Sequence, residues 1–112
     1  MSPQILVIES YADLRAGIVA ALEHYAYSCD AVASAEAAVL KLREHDYAYV
    51  VLDVDAASPQ ATREFVSALG EANVILISDS DPREPHSEHV AMLRKPFSRD
   101  ELMAQLRSIP VC

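Results

Sequence analysis

Residues 50–55 read VVLDVD, an apolar run that ends in two acids. A short run rich in β-branched and aliphatic residues is typical of a strand buried on both faces of a parallel sheet. An acid at the end of such a strand is costly to bury without a partner. The stretch therefore predicts a buried strand that places Asp53, and Asp55 two residues later, at one edge of a sheet, although Asp53 could also simply cap the following turn.

Similar apolar runs lie on both sides of this stretch. Residues 5–8 (ILVI) and 74–77 (VILI) are equally apolar, residues 90–93 (VAML) are weaker, and residues 27–32 are polar enough to indicate an edge strand. The intervening segments repeat apolar residues with helical spacing. The residues predicted to share a helix face are Leu14, Ile18, Leu22 and Tyr25; Ala35, Val39 and Leu42; Thr62, Phe65, Val66 and Leu69; and Leu102, Leu106 and Ile109. Strands that alternate with helices predict an α/β fold with a parallel sheet covered on both faces.

Local signals mark where the helices begin and end. Ser98 and Glu101 have the spacing of a capping box, Ser34 is placed as an N-cap, and Gly70 lies where a helix C-cap is expected. Residues 78–88 (SDSDPREPHSE) are polar and contain two prolines. Because proline interrupts a helix, we expect the fourth helix to be short or absent.

Composition excludes several classes of protein. The 112 residues fit one domain, 1–112, and carry 9 Lys and Arg against 17 Asp and Glu, for a net charge of −8. Such acidity argues against binding to nucleic acid or to an anionic membrane. Two glycines cannot build a glycine-rich phosphate loop. No apolar run approaches the length of about 20 residues that spans a bilayer, and no signal peptide is evident. The two cysteines are far apart in the sequence and suggest no disulfide. A cytoplasmic location is therefore expected.

Polar residues end the predicted strands. They are Glu9 and Ser10 after the first strand, Asp53 and Asp55 after the third, Ser78 after the fourth, and Lys95 after the fifth. Parallel strands direct their carboxyl ends to the same edge of a sheet, where ligands of open α/β folds bind. Acids, a hydroxyl and an ammonium group at one edge predict a site for phosphate and metal, although Ser78 could also be only a hydroxyl that starts a loop.

Other site residues also have structural alternatives. Lys95 could be a surface lysine, but its place at a strand end favours an ion pair with Asp53. Ser10 could serve only as the N-cap of the first helix, with Asp13 completing the box, and that is the interpretation we favour. Glu9 is equally compatible with coordination of a metal or water and with a partly solvated acid.

The motifs at the strand ends resemble a known family. ILVIES (5–10), VVLDVD (50–55), ILIS (75–78) and LRKPF (93–97) are similar, in order, to the receiver domain of bacterial response regulators. The resemblance implies a flavodoxin-like (βα)5 three-layer sandwich with strand order 2-1-3-4-5, acting in phosphorelay signalling. It also implies that Asp53 accepts a phosphoryl group from a histidine kinase or phosphotransfer protein, that Ser78 is the switch hydroxyl, that Lys95 binds the phosphoryl group, and that an unidentified protein receives the signal.

The chain also departs from the family's pattern. Ser10 stands where the family has a second acid, so a Mg²⁺ site made of Glu9, Asp53 and Asp55 should be weak. Met92 replaces an aromatic switch residue, and only 17 residues separate Ser78 from Lys95. Two interpretations therefore stay open, an atypical receiver phosphorylated on Asp53 and a phosphorylation-independent interaction module.

A more distant alternative is an enzyme. Asp53-Val54-Asp55 fits the DxD motif of haloacid-dehalogenase-type phosphatases, in which the first Asp is the nucleophile and the second the acid or base. That family needs further acids after its lysine, and only 17 residues follow Lys95. We therefore expect that the protein is not an enzyme.

Overall fold

The fold alternates strands and helices along the chain. A computed structural model describes residues 4–56, 59–69, 72–79 and 90–108. The strands are β1 (Ile5–Ile8), β2 (Cys29–Val32), β3 (Tyr49–Asp53), β4 (Asn73–Ser78) and β5 (Val90–Arg94). The helices are α1 (Ala12–His24), α2 (Ala35–Glu44), α3 (Pro59–Leu69) and α4 (Arg99–Ser108), and a 3-10 turn, Val54–Ala56, follows β3.

The five strands form one parallel sheet in the order β2-β1-β3-β4-β5. Ile8 pairs with Leu52, and Asp53 pairs with Ile77, so β1, β3 and β4 end at the same level. The weakly apolar segment predicted as an edge strand is β2, which lies at one edge of the sheet. The predicted α/β class and strand order are both confirmed.

Alternate residues of each strand supply two separate cores, as the strand period requires. One core joins β1, β3, β4 and β5 to α1 and α4 through Ile5, Val7, Val51, Ile75, Ile77, Leu93, Ile18, Leu22, Leu102 and Leu106. The other joins the sheet to α2 and α3 through Leu6, Ile8, Val50, Leu52, Ala38, Phe65 and Val66. Each fully buried aliphatic side chain contributes about 1.5–3 kcal/mol, and together these two cores fix the strand ends that carry the site.

Helix capping follows the sequence at two helices and departs from it at α1. Ser34 Oγ accepts the Ala37 N–H at 3.2 Å, which confirms the predicted N-cap of α2. At α4, Ser98 Oγ accepts the Glu101 N–H at 3.1 Å, and Glu101 Oε1 accepts the Ser98 N–H at 3.0 Å, which confirms the capping box.

The prediction that Ser10 caps α1 is wrong. The N-cap is Tyr11, which makes no side-chain cap hydrogen bond. Glu9, the acid that follows β1, accepts the Tyr11 N–H on its Oε1 atom at 3.1 Å. The helix therefore begins one residue later than predicted.

The predicted inner face of α2 is also partly wrong. Val39 is 41% exposed, whereas Ala38 is fully buried against the sheet. Ala38 lies one helical turn before Leu42, which packs on the same core, and Val39 is rotated away from that line.

Gly70 and the predicted short fourth helix lie outside the described residues. Within those residues, no helix is long and apolar enough to cross a membrane.

Candidate functional site

The carboxyl ends of β1, β3, β4 and β5 bring the predicted polar residues together. The register that pairs Ile8 with Leu52 leaves Glu9 and Asp53 as neighbours, each one residue further along its strand. The Lys95 N–H donates to the Ser78 carbonyl at 2.8 Å and so extends the pairing of β4 with β5 by one residue. The backbone hydrogen bonds of the sheet thus fix the strand ends that carry the side chains of Glu9, Asp53, Ser78 and Lys95.

Asp53 and Lys95 form the ion pair that the sequence predicts. Lys95 Nζ donates to Asp53 Oδ2 at 2.6 Å, and the two side chains are 16% and 4% exposed. Burial alone would raise the pKa of Asp53, but hydrogen bonds with Glu9 and Lys95 outweigh it and hold the pKa below its usual value. Burial alone would lower the pKa of Lys95, but the hydrogen bond and charge of Asp53 raise it. Asp53 is therefore a carboxylate and Lys95 an ammonium group.

Glu9 is a buried carboxyl group next to this pair. It is 1% exposed, and its Oε2 atom is buried without a hydrogen-bond partner. Burial and the hydrogen bond with Asp53 raise the pKa of Glu9 to about 7. A proton on Glu9 removes the repulsion between two neighbouring buried carboxylates. Of the two alternatives left open by the sequence, the partly solvated acid is therefore wrong, because Glu9 is fully enclosed.

Arg15 is a member of the site that the sequence analysis missed. Its Nη1 donates to the Glu9 carbonyl at 2.9 Å, from one turn into α1. The contact fixes the end of β1 against the helix that follows it. The available signal was a basic residue in the first turns of the helix after the first acidic strand end, but that spacing alone does not distinguish it from a surface arginine.

Asp55 is turned back over the end of β3. Its N–H donates to Asp53 Oδ1 at 2.9 Å, a turn in which an aspartate bonds the backbone two residues on. Its carboxylate accepts the Ser78 hydroxyl at 3.2 Å on Oδ1 and the Asp79 N–H at 2.7 Å on Oδ2. Lys95 Nζ lies 3.4 Å from the same Oδ2. Ser78 and Asp55, which the sequence placed at the same edge, are thus in direct contact.

As arranged, these acids offer a magnesium ion few oxygens that are free of hydrogen bonds. Both carboxylate oxygens of Asp53 and both of Asp55 accept hydrogen bonds from protein donors, and Ser10 offers no carboxylate. Glu9 Oε2 is the one oxygen of the predicted ligand set that accepts none. Within the described part of the chain, no group of three or more His, Cys, Asp or Glu side chains is placed to hold a metal ion. The ligand set Glu9, Asp53 and Asp55 stays a prediction.

Solved structures share this architecture. The chemotaxis response regulator CheY4 of Vibrio cholerae superposes with a TM-score of 0.82 at 16% identity, covering 98% of this chain and all of CheY4. The response regulator TrrA of Thermotoga maritima, solved in complex with Mg²⁺ and BeF, superposes with a TM-score of 0.78 at 22% identity, covering 96% of this chain and 99% of TrrA. At these identities the likeness concerns the fold.

Sequence relatives decide the family. Residues 4–109 match the family described as flagellar regulatory protein FleQ. The transcriptional regulator FixT of Rhizobium meliloti (strain 1021) is 31% identical over 110 residues, which cover 96% of this chain and 92% of FixT. The chain belongs to the FleQ family and is a receiver domain. The match extends from β1 to the end of α4, so it includes every strand end that forms the site.

The receiver-domain assignment bears on the enzyme alternative. The matched proteins are response regulators and a transcriptional regulator, not phosphatases. The expectation that the protein is not an enzyme is confirmed.

Proposed function

We propose that this receiver domain acts in phosphorelay signal transduction, with Asp53 as the residue that accepts the phosphoryl group. The donor would be a phosphohistidine of a histidine kinase or phosphotransfer protein, and the signal would pass on by contact with a further protein. We place this exchange in the cytoplasm, where such kinases have their catalytic parts. The single observation that supports the proposal is the buried Asp53–Lys95 pair at 2.6 Å, at the carboxyl edge of the sheet.

The chemistry follows from the state of these groups. An Asp53 oxygen attacks the phosphorus, the P–N bond of phosphohistidine breaks, and its electron pair returns to the imidazole. Lys95, already at hydrogen-bond distance, offsets charge that develops on the phosphoryl oxygens. The Ser78 hydroxyl is a second donor at the same edge. We expect Mg²⁺ to bind only weakly, since Ser10 brings no acid and the oxygens of Asp53 and Asp55 are engaged.

An apolar groove offers one surface for a partner. It is about 440 Å³ in volume and runs between α1 and α4, lined by Leu14, Gly17, Ile18, Phe97 and Leu102 among others. Leu14 lies in the first turn of α1, the same turn that carries the Glu9–Arg15 contact. We propose this groove as the surface on which a helix of the donor protein docks.

Phosphoramidate, a small P–N donor, tests the acceptor role without the natural partner. We expect intact-mass spectrometry to find one phosphoryl group on the wild-type protein, removable by hydroxylamine as an acyl phosphate should be. Asp53→Asn should abolish the label, whereas Asp46→Asn, which removes an exposed acid outside the site, should keep it. A label that persists in Asp53→Asn, or no label on the wild type, would contradict the proposal.

A second candidate function is a phosphorylation-independent interaction module. It is favoured by Ser10 in place of an acid and by the contacts of Asp55, which occupy the donors beside Asp53. The same labelling experiment separates the two, because an interaction module should take no phosphoryl group at any donor concentration.

A further inference from the structure

Three hydrogen-bond donors at the site converge on one carboxylate. The Ser78 hydroxyl, the Asp79 N–H and the Lys95 ammonium group all meet Asp55, at 3.2, 2.7 and 3.4 Å. A hydroxyl, a backbone amide and an ammonium group together form a binding site for an oxyanion, because each points a positive dipole or charge at the same place. Two of these donors, Ser78 and Lys95, are the groups expected to hold a phosphoryl group on Asp53.

The backbone directs Asp55 into that position. The 3-10 turn Val54–Ala56 folds the chain back directly after β3, and the Asp55 N–H is held by Asp53 Oδ1 at 2.9 Å. The Asp55 side chain is only 35% exposed although it lies in a turn at the molecular surface. Its carboxylate contacts the donors of β4 and β5 while part of it remains open to solvent, next to the residue proposed as acceptor.

We infer that Asp55 is a built-in occupant of the oxyanion site. Its carboxylate engages Ser78, Asp79 and Lys95 in the absence of phosphorylation and competes with a phosphoryl group on Asp53 for the same donors. A phosphoryl group adds about two negative charges, so it would also be repelled by Asp55 until that side chain swings out. The inference rests on the proposed function in one respect, since phosphorylation of Asp53 is the event with which Asp55 competes.

One consequence concerns the switch hydroxyl. The Ser78 hydroxyl donates to Asp55, whereas the family resemblance implies that this hydroxyl turns to the phosphoryl group when Asp53 is phosphorylated. Removing the Asp55 carboxylate should release Ser78 and the Asp79 amide, and should leave the oxyanion site free for an external ligand.

The first test needs no phosphoryl analogue. In ¹H–¹⁵N NMR spectra, Asp55→Ala should move the Asp79 amide proton upfield and speed its exchange with solvent, because its 2.7 Å acceptor is gone. Asp55→Asn keeps one oxygen acceptor and should give a smaller change in the same direction. Asp46→Ala, which removes an exposed acid elsewhere, should leave this resonance in place. An unchanged Asp79 amide in Asp55→Ala would overturn the inference.

The second test uses beryllofluoride with Mg²⁺ as the phosphoryl mimic. We expect the concentration that half-saturates the amide shifts around Asp53 to fall about tenfold or more in Asp55→Ala, the effect of removing a charge-assisted competitor. An unchanged or higher half-saturation concentration would overturn the inference, since Asp55 would then assist binding. If neither protein responds, the proposed acceptor role fails, while the Asp79 amide still decides the placement of Asp55.

Discussion

At the scale of single residues, Glu9 governs the pH dependence of the site. Its pKa in the folded protein is about 7, above the ordinary value of 4.5, because burial and Asp53 disfavour its charged form. A raised pKa means that Glu9 contributes its full stability below 4.5 and loses it as the pH rises through about 7. Stability of the wild-type protein should therefore decline over that window.

Glu9→Gln tests this directly, because glutamine stays neutral at every pH. The difference in free energy of unfolding between Glu9→Gln and wild type should grow between these two pH values in favour of the variant, by about 1–3 kcal/mol, and then level off. Urea denaturation in metal-free buffer across the window measures it. Glu36→Gln removes the same charge from the exposed side of α2 and is the matched control. Parallel pH profiles for Glu9→Gln and wild type would contradict the raised pKa of Glu9.

The predictability of individual residues depends on what places them. Asp53 and Lys95 were predicted as a pair because each lies at the end of a predicted strand, and parallel strands bring such ends together. The contacts of Asp55 and Arg15 were not predicted. They depend on the 3-10 turn after β3 and on the rotation of α1 against β1, and neither is encoded in a short stretch of sequence.

At the scale of elements, α1 is the helix with the clearest local weakness. Its N-cap makes no side-chain hydrogen bond, and Gly17 lies in its interior. A Cβ built at Gly17 meets no atom within 4 Å, so the position has room for a side chain. Glycine within a helix costs about 0.5–1 kcal/mol relative to alanine, because the unfolded chain gains freedom that the helix must remove.

Gly17→Ala should therefore stabilise the protein by about 0.5–1 kcal/mol. Thermal or urea unfolding followed by circular dichroism measures the change. Ala16→Gly at the neighbouring exposed position is the reverse substitution and should destabilise by a similar amount. If Gly17→Ala proves neutral or destabilising while Ala16→Gly behaves as expected, the space at Gly17 must be occupied, for example by a second molecule in the groove between α1 and α4.

Element boundaries were less predictable than the elements themselves. The three most apolar runs became strands that are buried almost throughout, as short runs rich in β-branched residues predict. The start of α1 was misplaced because a tertiary neighbour, Glu9, supplies an acceptor that the local sequence assigned to Ser10. The inner face of α2 was misassigned by one residue because alanine and valine both fit an apolar face, and only packing against the sheet decides between Ala38 and Val39.

At the scale of the whole molecule, the alternation of strands and helices predicted the α/β class and the family resemblance implied the strand order, which is why the fold was the most predictable level. All neighbouring strands of the sheet are parallel, and among the described helices α1 and α4 pack on one face and α2 and α3 on the other. The details of the site were less predictable, because they arise where the ends of four strands meet. Such positions are close in space and distant in sequence, so their geometry depends on how segments from the whole chain pack together.

Net charge is the remaining property of the whole molecule that predicts behaviour. With 9 Lys and Arg against 17 Asp and Glu, the folded protein carries a charge of −8. Compaction brings these charges together, and their mutual repulsion opposes folding until salt screens it. The Asp53–Lys95 pair is too buried to be screened to the same degree. Repulsion among the surface charges should therefore dominate the response of stability to salt.

Raising the concentration of sodium chloride from about 0.05 M to about 0.5 M shortens the distance over which charges interact, so that neighbouring surface charges repel one another less. The free energy of unfolding should therefore increase by about 1 kcal/mol. Urea, which is uncharged, allows the measurement at each salt concentration. Replacing Glu36 and Asp46, both exposed, with lysine lowers the net negative charge and should reduce the slope of stability against salt. A stability that falls with salt in the wild type would mean that attractive ion pairs at the surface outweigh the repulsion among the surface acids.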